Sequence, residues 1–216
     1  MKKYIIVAGN IGVGKSTLVR LLCERLGWQA YYEPEVENPY LGDFYRDMQA
    51  WAFHSQVFFL AHRLRIHLQI QRSPDSAVQD RSLYEDAEIF AQGLYLQGAL
   101  SERDYATYRA LYQAACDCLT PPDLMIYLRA STATLQRRIA QRRRPYEREI
   151  PLDYLERLNA LYEAWVAGFT LCPVLTVPAD DLDYVARPRH FELVLQKVQE
   201  KLTGKEEVRF DPAEVA

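Results

Sequence analysis

Residues 4–17 read YIIVAGNIGVGKST, and this stretch decides the fold. Tyr4–Ala8 is a short apolar run rich in β-branched residues, which is the pattern of a strand buried on both faces. A helical pattern follows from Leu18, with leucines repeating along one side. Between the two, residues 9–16 match G-x-x-x-x-G-K-[S/T] in full. They occupy the strand-to-helix turn in which that motif functions.

The chemistry of phosphate binding explains the residue types in this loop. Backbone N–H groups converge on phosphate oxygens only where no Cβ intrudes, and the helix N-terminus adds a partial positive charge. Lys15 can reach the outer phosphates, and Ser16 can ligate Mg²⁺. The alternatives are an ordinary strand-to-helix turn or part of a dinucleotide fingerprint, which has no use for the Lys-Ser pair. We expect the nucleotide to be bound by Gly9, Asn10, Ile11, Gly12, Val13, Gly14, Lys15, Ser16 and Thr17.

Length and composition bound the class of protein. The 216 residues suit one domain with a large core, and the net charge of −3 gives no reason to expect binding to nucleic acid. No apolar run approaches the roughly 20 residues that a membrane span requires. No signal peptide is expected, because the chain enters a core strand at once. The four cysteines lack the spacing of a zinc site, so we expect free thiols in a reducing cytoplasm.

Short apolar runs alternate with helical patterns along the chain, which predicts a parallel sheet flanked by helices. We expect a single α/β domain over residues 1–203 and a loose charged tail over 204–216. The predicted strands are Tyr4–Ala8, Gln29–Glu33, Ser76–Asp80, Leu124–Leu128 and Val174–Val177. The first predicted helix ends near Leu26, and the next four cover Leu41–Met48, Ala52–Gln71, Asp86–Leu96 and Glu102–Leu119. Another begins at Thr132. The last two run from Pro151, at the first helical position, to near Gly168, and over His190–Leu202.

Polar residues follow the second and third predicted strands, at the sheet edge where ligands of parallel sheets bind. Glu33 ends the second strand, and its carboxylate can accept the proton of an attacking hydroxyl. The alternative is a solvated acidic loop, which we favour for Glu35 and Glu37. Asp80 follows the third strand at a Walker-B type of position near Mg²⁺. Arg81 can steady Glu33 or a transferred phosphoryl group, and a structural ion pair is the alternative for Asp80 and Arg81.

An arginine cluster follows the fourth predicted strand. Arg138 and Arg142 are four residues apart and share one helix face. A solvated surface, a nucleic-acid patch and a lid that closes over the phosphoryl group are the three interpretations. The pattern alone does not decide among them. The members of the cluster are Arg137, Arg138, Arg142, Arg143 and Arg144.

Two mixed pairs of side chains lie at helical spacing. Gln56 and Arg63 are seven residues apart, which is two turns, and Asp86 and Phe90 are four apart. Each residue taken alone is more often a surface polar group or a core aromatic. Together the four have the groups needed to hydrogen-bond and stack on a nucleobase.

The ordered set of motifs resembles a known family. GNIGVGKST (9–17), EPEVENPYL (33–41), WAFHSQ (51–56), DRSLYED (80–86), RRIAQRRRPYEREIPLDYLERL (137–158) and DDLDY (180–184) occur with matching spacings. The chain is similar from about Lys3 to Leu202 to deoxynucleoside kinases of the deoxycytidine/deoxyguanosine kinase type, especially their bacterial purine members. The resemblance implies a P-loop kinase fold with an Arg-rich lid, ATP and Mg²⁺ as cofactors, and a homodimer. It implies transfer of the γ-phosphoryl group of ATP to the 5′-hydroxyl of a deoxynucleoside.

The resemblance also assigns roles residue by residue. It makes Glu33 the general base, although Glu35 stands where the family usually has valine and is the alternative. The metal residues are Ser16 and Asp80. The catalytic cations are Lys15, Arg81, Arg138, Arg142 and Arg144, of which Arg138 and Arg142 also contact the nucleotide. The deoxynucleoside is bound by Glu33, Tyr45, Gln56, Arg63, Arg81, Asp86, Phe90 and Glu147. Asp183 and Tyr184 lie in the loop that packs on the adenine of ATP.

Two other classes of protein share part of this pattern. A nucleoside monophosphate kinase of the thymidylate type has the same loop and a lid, but it needs more basic residues for the acceptor phosphate. A nucleotide-binding switch or DNA-associated ATPase shares only the loop. The acidic acceptor residues Glu33, Asp86 and Glu147 argue against the monophosphate kinase. The lack of a guanine-reading N-K-x-D motif and the shortness of the basic cluster argue against the switch or ATPase.

Overall fold

A five-stranded parallel sheet is the main feature of this computed structural model, in which residues 1–32, 38–142 and 150–215 are described. The strands are β1 (Tyr4–Gly9), β2 (Gln29–Tyr31), β3 (Ala77–Asp80), β4 (Leu124–Arg129) and β5 (Val174–Pro178). Their order is β2-β3-β1-β4-β5, so β1 lies at the centre, and every pairing is parallel. Every residue of β1 is buried. The predicted five-stranded parallel sheet is confirmed.

The chain folds into two units, each with its own dense internal contacts. Unit 1 consists of Met1–Tyr32, Asp75–Arg81 and Pro121–Ala216, and unit 2 of Glu33–Pro74 and Ser82–Thr120. All five strands belong to unit 1, because the chain leaves the sheet after β2 and after β3 and returns to it each time. The division into one kinase domain and a tail stays a prediction.

Helices pack on the sheet within unit 1. Ile5 and Val7 of β1 share one core cluster with Leu18 and Leu22, which lie on the helix that follows the glycine-rich loop. Val194, from the last long helix, belongs to the same cluster. Apolar side chains at helical spacing thus meet the apolar strands as the sequence pattern requires. The helices of unit 1 are α1 (Lys15–Leu26), α7 (Thr132–Arg142), α8 (Leu152–Ala167), α9 (Pro188–Leu202) and α10 (Pro212–Val215).

The regular elements described in unit 2 are all helices. Asp47 starts its longest helix by accepting a hydrogen bond from the Ala50 N–H, and Ser101 caps another through the Asp104 N–H. The long helix therefore begins four residues before the predicted Ala52. The elements of unit 2 are α2 (Leu41–Arg46), α3 (Met48–Arg72), α4 (Leu83–Glu85), a π-helix (Asp86–Ala91), α5 (Gln92–Leu96) and α6 (Glu102–Cys116). Among the described helices, α3 included, none combines the length and apolar character that crossing a bilayer demands.

The structure also differs from the predicted elements at the π-helix, at Pro151 and at the second strand. The single helix expected over Asp86–Leu96 is a π-helix followed by α5, so one turn has wider hydrogen bonding. Pro151 is not the first helical residue: its ψ of 146° is extended, and α8 begins at Leu152. The fixed φ of proline suits both positions, so the sequence could not distinguish them. The predicted second strand ends at Tyr31, before Glu33, which lies outside the described residues.

The charged segment after Thr203 makes contacts with unit 1. Val208 and Phe210 are partly buried against the core cluster, and the short helix α10 follows them. Lys197 of α9 donates to Glu214 of α10 at 3.2 Å. The segment was expected to be loose because it has few large apolar residues, but two of those residues reach the core.

A buried histidine joins α3 to the end of unit 2. His67 is 1% exposed, and its Nε2 lies 2.9 Å from the carbonyl oxygen of Thr120. A neutral imidazole donates Nε2–H to that carbonyl. Burial lowers the pKa of His67 in the folded chain.

We expect His67 to make stability fall under mild acid. The pKa of His67 is lower in the fold than in the unfolded chain, so its contribution is complete above the unfolded pKa of about 6.5. It is lost as the pH falls from there towards the folded pKa. The free energy of urea unfolding, measured from pH 8 to 5, should decline less steeply in His67→Gln, whose amide donates without titrating. Exposed His54→Gln is the control, and an identical slope in both variants would contradict the assignment.

Candidate active site

The glycine-rich loop between β1 and α1 has the backbone shape of a phosphate cradle. Gly12 and Gly14 have φ values of 80° and 107°, which side chains rarely tolerate. A Cβ at Gly12 would lie 2.6 Å from Ile139, and one at Gly14 would lie 2.5 Å from the hydroxyl of Tyr184. Lys15 starts α1 and is 7% exposed. The loop therefore requires glycine at both positions, and the helix N-terminus adjoins it.

The Lys15 side chain bridges the first two residues of the loop. Its Nζ donates to the carbonyl oxygens of Gly9 at 2.7 Å and Asn10 at 3.0 Å. A charged phosphate oxygen is a stronger acceptor for an ammonium group than a carbonyl oxygen, so a phosphate in this loop would compete for these hydrogen bonds.

Three side chains from outside the loop contact it, two of them at backbone carbonyls and one at the side chain of Asn10. Tyr184 donates its hydroxyl to the carbonyl of Gly14 at 3.2 Å, and burial raises the pKa of Tyr184 to about 12. Arg138 donates to the carbonyl of Val13 at 2.7 Å. The Asn10 amide donates to Oδ1 of Asn159 at 2.7 Å. Each contact lies within unit 1 and fixes one part of the loop.

Ser16 and Asp80 meet at the carboxyl ends of β1 and β3. The Ser16 hydroxyl donates to Oδ2 of Asp80 at 2.5 Å. The other carboxylate oxygen, Oδ1, has no hydrogen-bond partner. It is buried, since Asp80 is only 3% exposed. A buried anionic oxygen without a donor requires a cation or water, and hydroxyl and carboxylate oxygens are ligands that Mg²⁺ prefers. The residues present therefore fit the metal that the motif predicts.

Arg81 follows Asp80 in a conformation that arginine rarely adopts. Its φ is 62°, and it is the only described non-glycine residue with a positive φ. Its N–H donates to the carbonyl of Val7 at 3.1 Å, and the residue is 7% exposed. A left-handed, non-glycine residue costs about 1–3 kcal/mol, and such residues concentrate at functional sites.

Unit 2 contains a buried polar cluster built on α3 and the π-helix. Nε of Arg63 lies 2.5 Å from Oδ2 of Asp86, and both side chains are at most 5% exposed. Gln56 is 6% exposed, and its carbonyl oxygen has no hydrogen-bond partner. Tyr108 of α6 is fully buried, and burial together with the charge of Asp86 raises its pKa. Because buried polar groups are normally satisfied, the free acceptor of Gln56 indicates a ligand.

The π-helix decides where Asp86 and Phe90 lie. One extra residue in a helical turn shifts the side chains that follow it, and such turns are frequent at functional sites. Asp86 begins the π-helix and is buried, whereas Phe90 is partly exposed.

Tyr45 of α2 is 65% exposed and packs on Phe44, with ring centroids 5.3 Å apart.

The predicted residues thus fall into two groups. The structure brings the nine loop residues, Asp80, Arg81, Arg138 and Tyr184 together in unit 1, and Gln56, Arg63 and Asp86 together in unit 2. Asp183, also in unit 1, accepts from the Ala186 N–H, which lowers the pKa of its carboxyl. Several predictions lie outside the described residues: Glu33, Glu35, Arg144 and Glu147, and the side chain of Arg142.

Sequence reasoning missed Asn159 and Tyr108. Asn159 lies four residues after the fully buried Leu155 on α8, so the two share a face. A polar residue on a core-facing stripe was the available signal. Tyr108 had none, because a tyrosine at a core position is ordinary.

Comparison with known proteins decides the family. A family model described as deoxynucleoside kinase matches residues 5–203. The chain belongs to the deoxynucleoside kinase family. It is 39% identical over 198 residues to deoxyadenosine/deoxycytidine kinase of Bacillus subtilis (strain 168), covering 90% of each chain. It is 35% identical over 213 residues to deoxyadenosine kinase of Lactobacillus acidophilus, covering 94% of this chain and 97% of the relative.

A solved structure extends the comparison to the fold. Deoxyadenosine kinase from M. mycoides with bound dATP superposes with a TM-score of 0.79 at 32% identity, covering 91% of this chain and 99% of that one. The predicted P-loop kinase fold is therefore confirmed. As a deoxynucleoside kinase, the protein phosphorylates a deoxynucleoside to its monophosphate.

Replacing Asp86 of this deoxynucleoside kinase should be costly to stability. Asp86→Asn removes a counter-charge from beside the buried Arg63 guanidinium, and breaking a buried ion pair from one side costs about 3–5 kcal/mol. Glu88 of the same π-helix pairs with Arg109 at 2.6 Å, but those side chains are 24% and 36% exposed. Glu88→Gln should therefore cost less than about 1 kcal/mol. Urea unfolding at neutral pH measures both, and equal losses would show that burial does not set the energy of the Arg63–Asp86 pair.

Proposed function

We propose that the protein transfers the γ-phosphoryl group of ATP to the 5′-hydroxyl of a purine deoxynucleoside, with deoxyadenosine preferred. The proposal depends on one observation: the structure contains two preorganised groups of polar side chains. One is a phosphate loop next to Ser16 and Asp80, and the other is a buried cluster of Gln56, Arg63 and Asp86. A phosphate loop alone serves many reactions, but a base-recognition cluster is specific to nucleoside chemistry.

The loop and its neighbours are assigned to ATP. Residues 9–17 supply N–H groups to the phosphates, and the Lys15 ammonium exchanges its carbonyl partners for phosphate oxygens. Ser16 and Asp80 would hold Mg²⁺, which when bound neutralises charge on the phosphate oxygens. The loop of Asp183 and Tyr184 receives the adenine. The dATP bound to the M. mycoides relative supports an adenine nucleotide as ligand of this fold.

The cluster in unit 2 is assigned to the nucleobase. The free carbonyl oxygen of Gln56 accepts from an exocyclic amino group such as N6–H of adenine, while its amide donates to the adjacent ring nitrogen. Asp86, oriented by Arg63, accepts a second hydrogen bond from the base. Phe90 packs on the ring. Relatives named deoxyadenosine kinases support this choice of base.

The chemical step is assigned to groups around the 5′-hydroxyl. Glu33 accepts its proton as the oxygen attacks the γ-phosphorus, and the bond to the leaving β-phosphate oxygen breaks. Arg81, Arg142 and Arg144 stabilise charge on the transferred group. Tyr45 and Glu147 hold the 3′-hydroxyl of the sugar. The assignments of Glu33, Arg142, Arg144 and Glu147 rest on the sequence, since these residues, or for Arg142 the side chain, lie outside the described ranges.

We further propose a cytoplasmic homodimer. The four cysteines are free, which suits a reducing compartment. Besides its buried face, α3 has a second stripe of partly or fully exposed apolar side chains at helical spacing. Two copies of such a stripe can pack together as in a helical bundle. The stripe consists of Phe53, Val57, Ala61, Leu64 and Leu68.

An acceptor panel tests the function. ATP consumption should be stimulated by the four deoxynucleosides, with the highest kcat/KM for deoxyadenosine, and not by deoxynucleoside monophosphates or DNA. The product should be the 5′-monophosphate, identified by chromatography against 3′- and 5′-standards. Stimulation by a monophosphate alone would identify a nucleoside monophosphate kinase instead, and stimulation by DNA an ATPase.

A pair of glutamine variants tests the base. Glu33→Gln should keep the affinity for deoxynucleoside nearly unchanged and lower kcat by a factor on the order of 10²–10⁴, since only proton transfer is lost. Glu35→Gln is the matched control and should stay near the wild-type rate. A loss confined to Glu35→Gln would move the base to that residue, and no loss in either variant would remove both from the mechanism.

A further inference from the structure

Arg138 links two loops of unit 1. It lies on α7, and its guanidinium donates through one terminal nitrogen to the carbonyl of Val13 and through the other to the carbonyl of Ala179, each at 2.7 Å. Val13 belongs to the phosphate loop, and Ala179 is the first residue after β5. The planar fork of arginine allows one side chain to hold two acceptors at fixed directions.

The contact with Val13 controls an N–H group of the loop. The carbonyl of Val13 and the N–H of Gly14 belong to one planar trans peptide group, so they point in opposite directions. Fixing the carbonyl towards Arg138 therefore turns the Gly14 N–H to the other side of the chain. Tyr184 supports the next peptide group, because its hydroxyl donates to the Gly14 carbonyl, which also accepts from the Leu18 N–H of α1 at 3.1 Å.

The contact with Ala179 extends the control to a second loop. Residues 179–184 are attached to the loop that follows β4, because Asp180 accepts a hydrogen bond from the N–H of Ser131 at 2.9 Å. Tyr184, at the end of the same segment, reaches Gly14 directly. Arg138 and Tyr184 thus connect the phosphate loop to this segment through two adjacent carbonyls.

We propose that Arg138 is a positioning residue. It aims the Gly14 N–H at the ATP phosphates by holding the Val13 carbonyl, and through Ala179 it locks the phosphate loop to the segment that receives the adenine. This rests on the proposed function, in which ATP occupies the loop. It differs from a role in which the guanidinium contacts the transferred phosphoryl group.

A charge-conserving variant tests the proposal. Arg138→Lys keeps the positive charge but cannot hold both carbonyls in one plane. Ground-state and transition-state binding of ATP should weaken equally, so the KM for ATP rises about tenfold while kcat and the KM for deoxynucleoside stay within about twofold. Arg137→Lys is the matched control, because Arg137 is exposed and should leave all three constants unchanged.

Two further measurements keep the proposal falsifiable. Amide chemical shifts of the nucleotide-free protein should move at Gly14 and at Asp180 in Arg138→Lys but not in Arg137→Lys. Tyr184→Phe, which removes only the hydroxyl, should raise the KM for ATP about threefold, as expected for one neutral hydrogen bond. Because the amide shifts need no nucleotide, they test the contacts even if the panel of acceptors shows no ATP-dependent activity.

Each possible result of these measurements has a different interpretation. A fall in kcat of tenfold or more for Arg138→Lys with an unchanged KM for ATP would show that the guanidinium acts on the transferred group itself. Unchanged kinetics with unchanged amide shifts would show that the two carbonyl contacts have no role. An inactive wild-type enzyme would overturn the proposed function and leave the amide shifts to decide the contact.

Discussion

Backbone carbonyls in a phosphate-binding loop have to be held away from the ligand, because each one turned inward would repel the phosphates and remove an N–H group from them. In this protein the constraint is met partly from outside the loop. Arg138 holds the Val13 carbonyl, and Tyr184 contributes to holding the Gly14 carbonyl, which also accepts the first N–H bond of α1. Glycine makes the necessary φ values accessible, but it does not select among them. At Val13 the contact comes from a side chain 125 residues away in sequence.

The buried Arg63–Asp86 pair has the corresponding role in unit 2. Its value is orientation rather than stability, since apolar residues of the same size often serve stability as well. A carboxylate whose Oδ2 is held by Arg63 presents its remaining lone pairs in a fixed direction. Gln56 lies on the same helix as Arg63, two turns earlier, with its carbonyl oxygen free. Preorganised polar groups of this kind are what the proposed selection of a purine base requires, because an incorrect base would leave them unpaired.

The sequence predicted the sheet, the loop and the order of the elements because these depend on local signals. The apolar run of Tyr4–Ala8 and the motif of residues 9–16 are each readable within a few residues. The two acceptors of Arg138 could not be predicted, since Val13 and Ala179 are 125 and 41 residues away. The π-helix at Asp86 was also hidden, because its residues are as compatible with an α-helix. Tertiary packing determines both features, and a local sequence pattern contains no information about it.

For Arg81, too, the sequence predicted one property and not another. Its identity was predicted as functional from its place after Asp80, but its left-handed backbone was not, because arginine has no preference for positive φ. The strain of about 1–3 kcal/mol has to be offset by other contacts, and the bond from its N–H to the Val7 carbonyl is one of them. A glycine at this position would relieve the strain and lose the guanidinium. An arginine at this position therefore carries a backbone cost that its own sequence neighbours do not reveal, which is the kind of strain that proposed functional residues store.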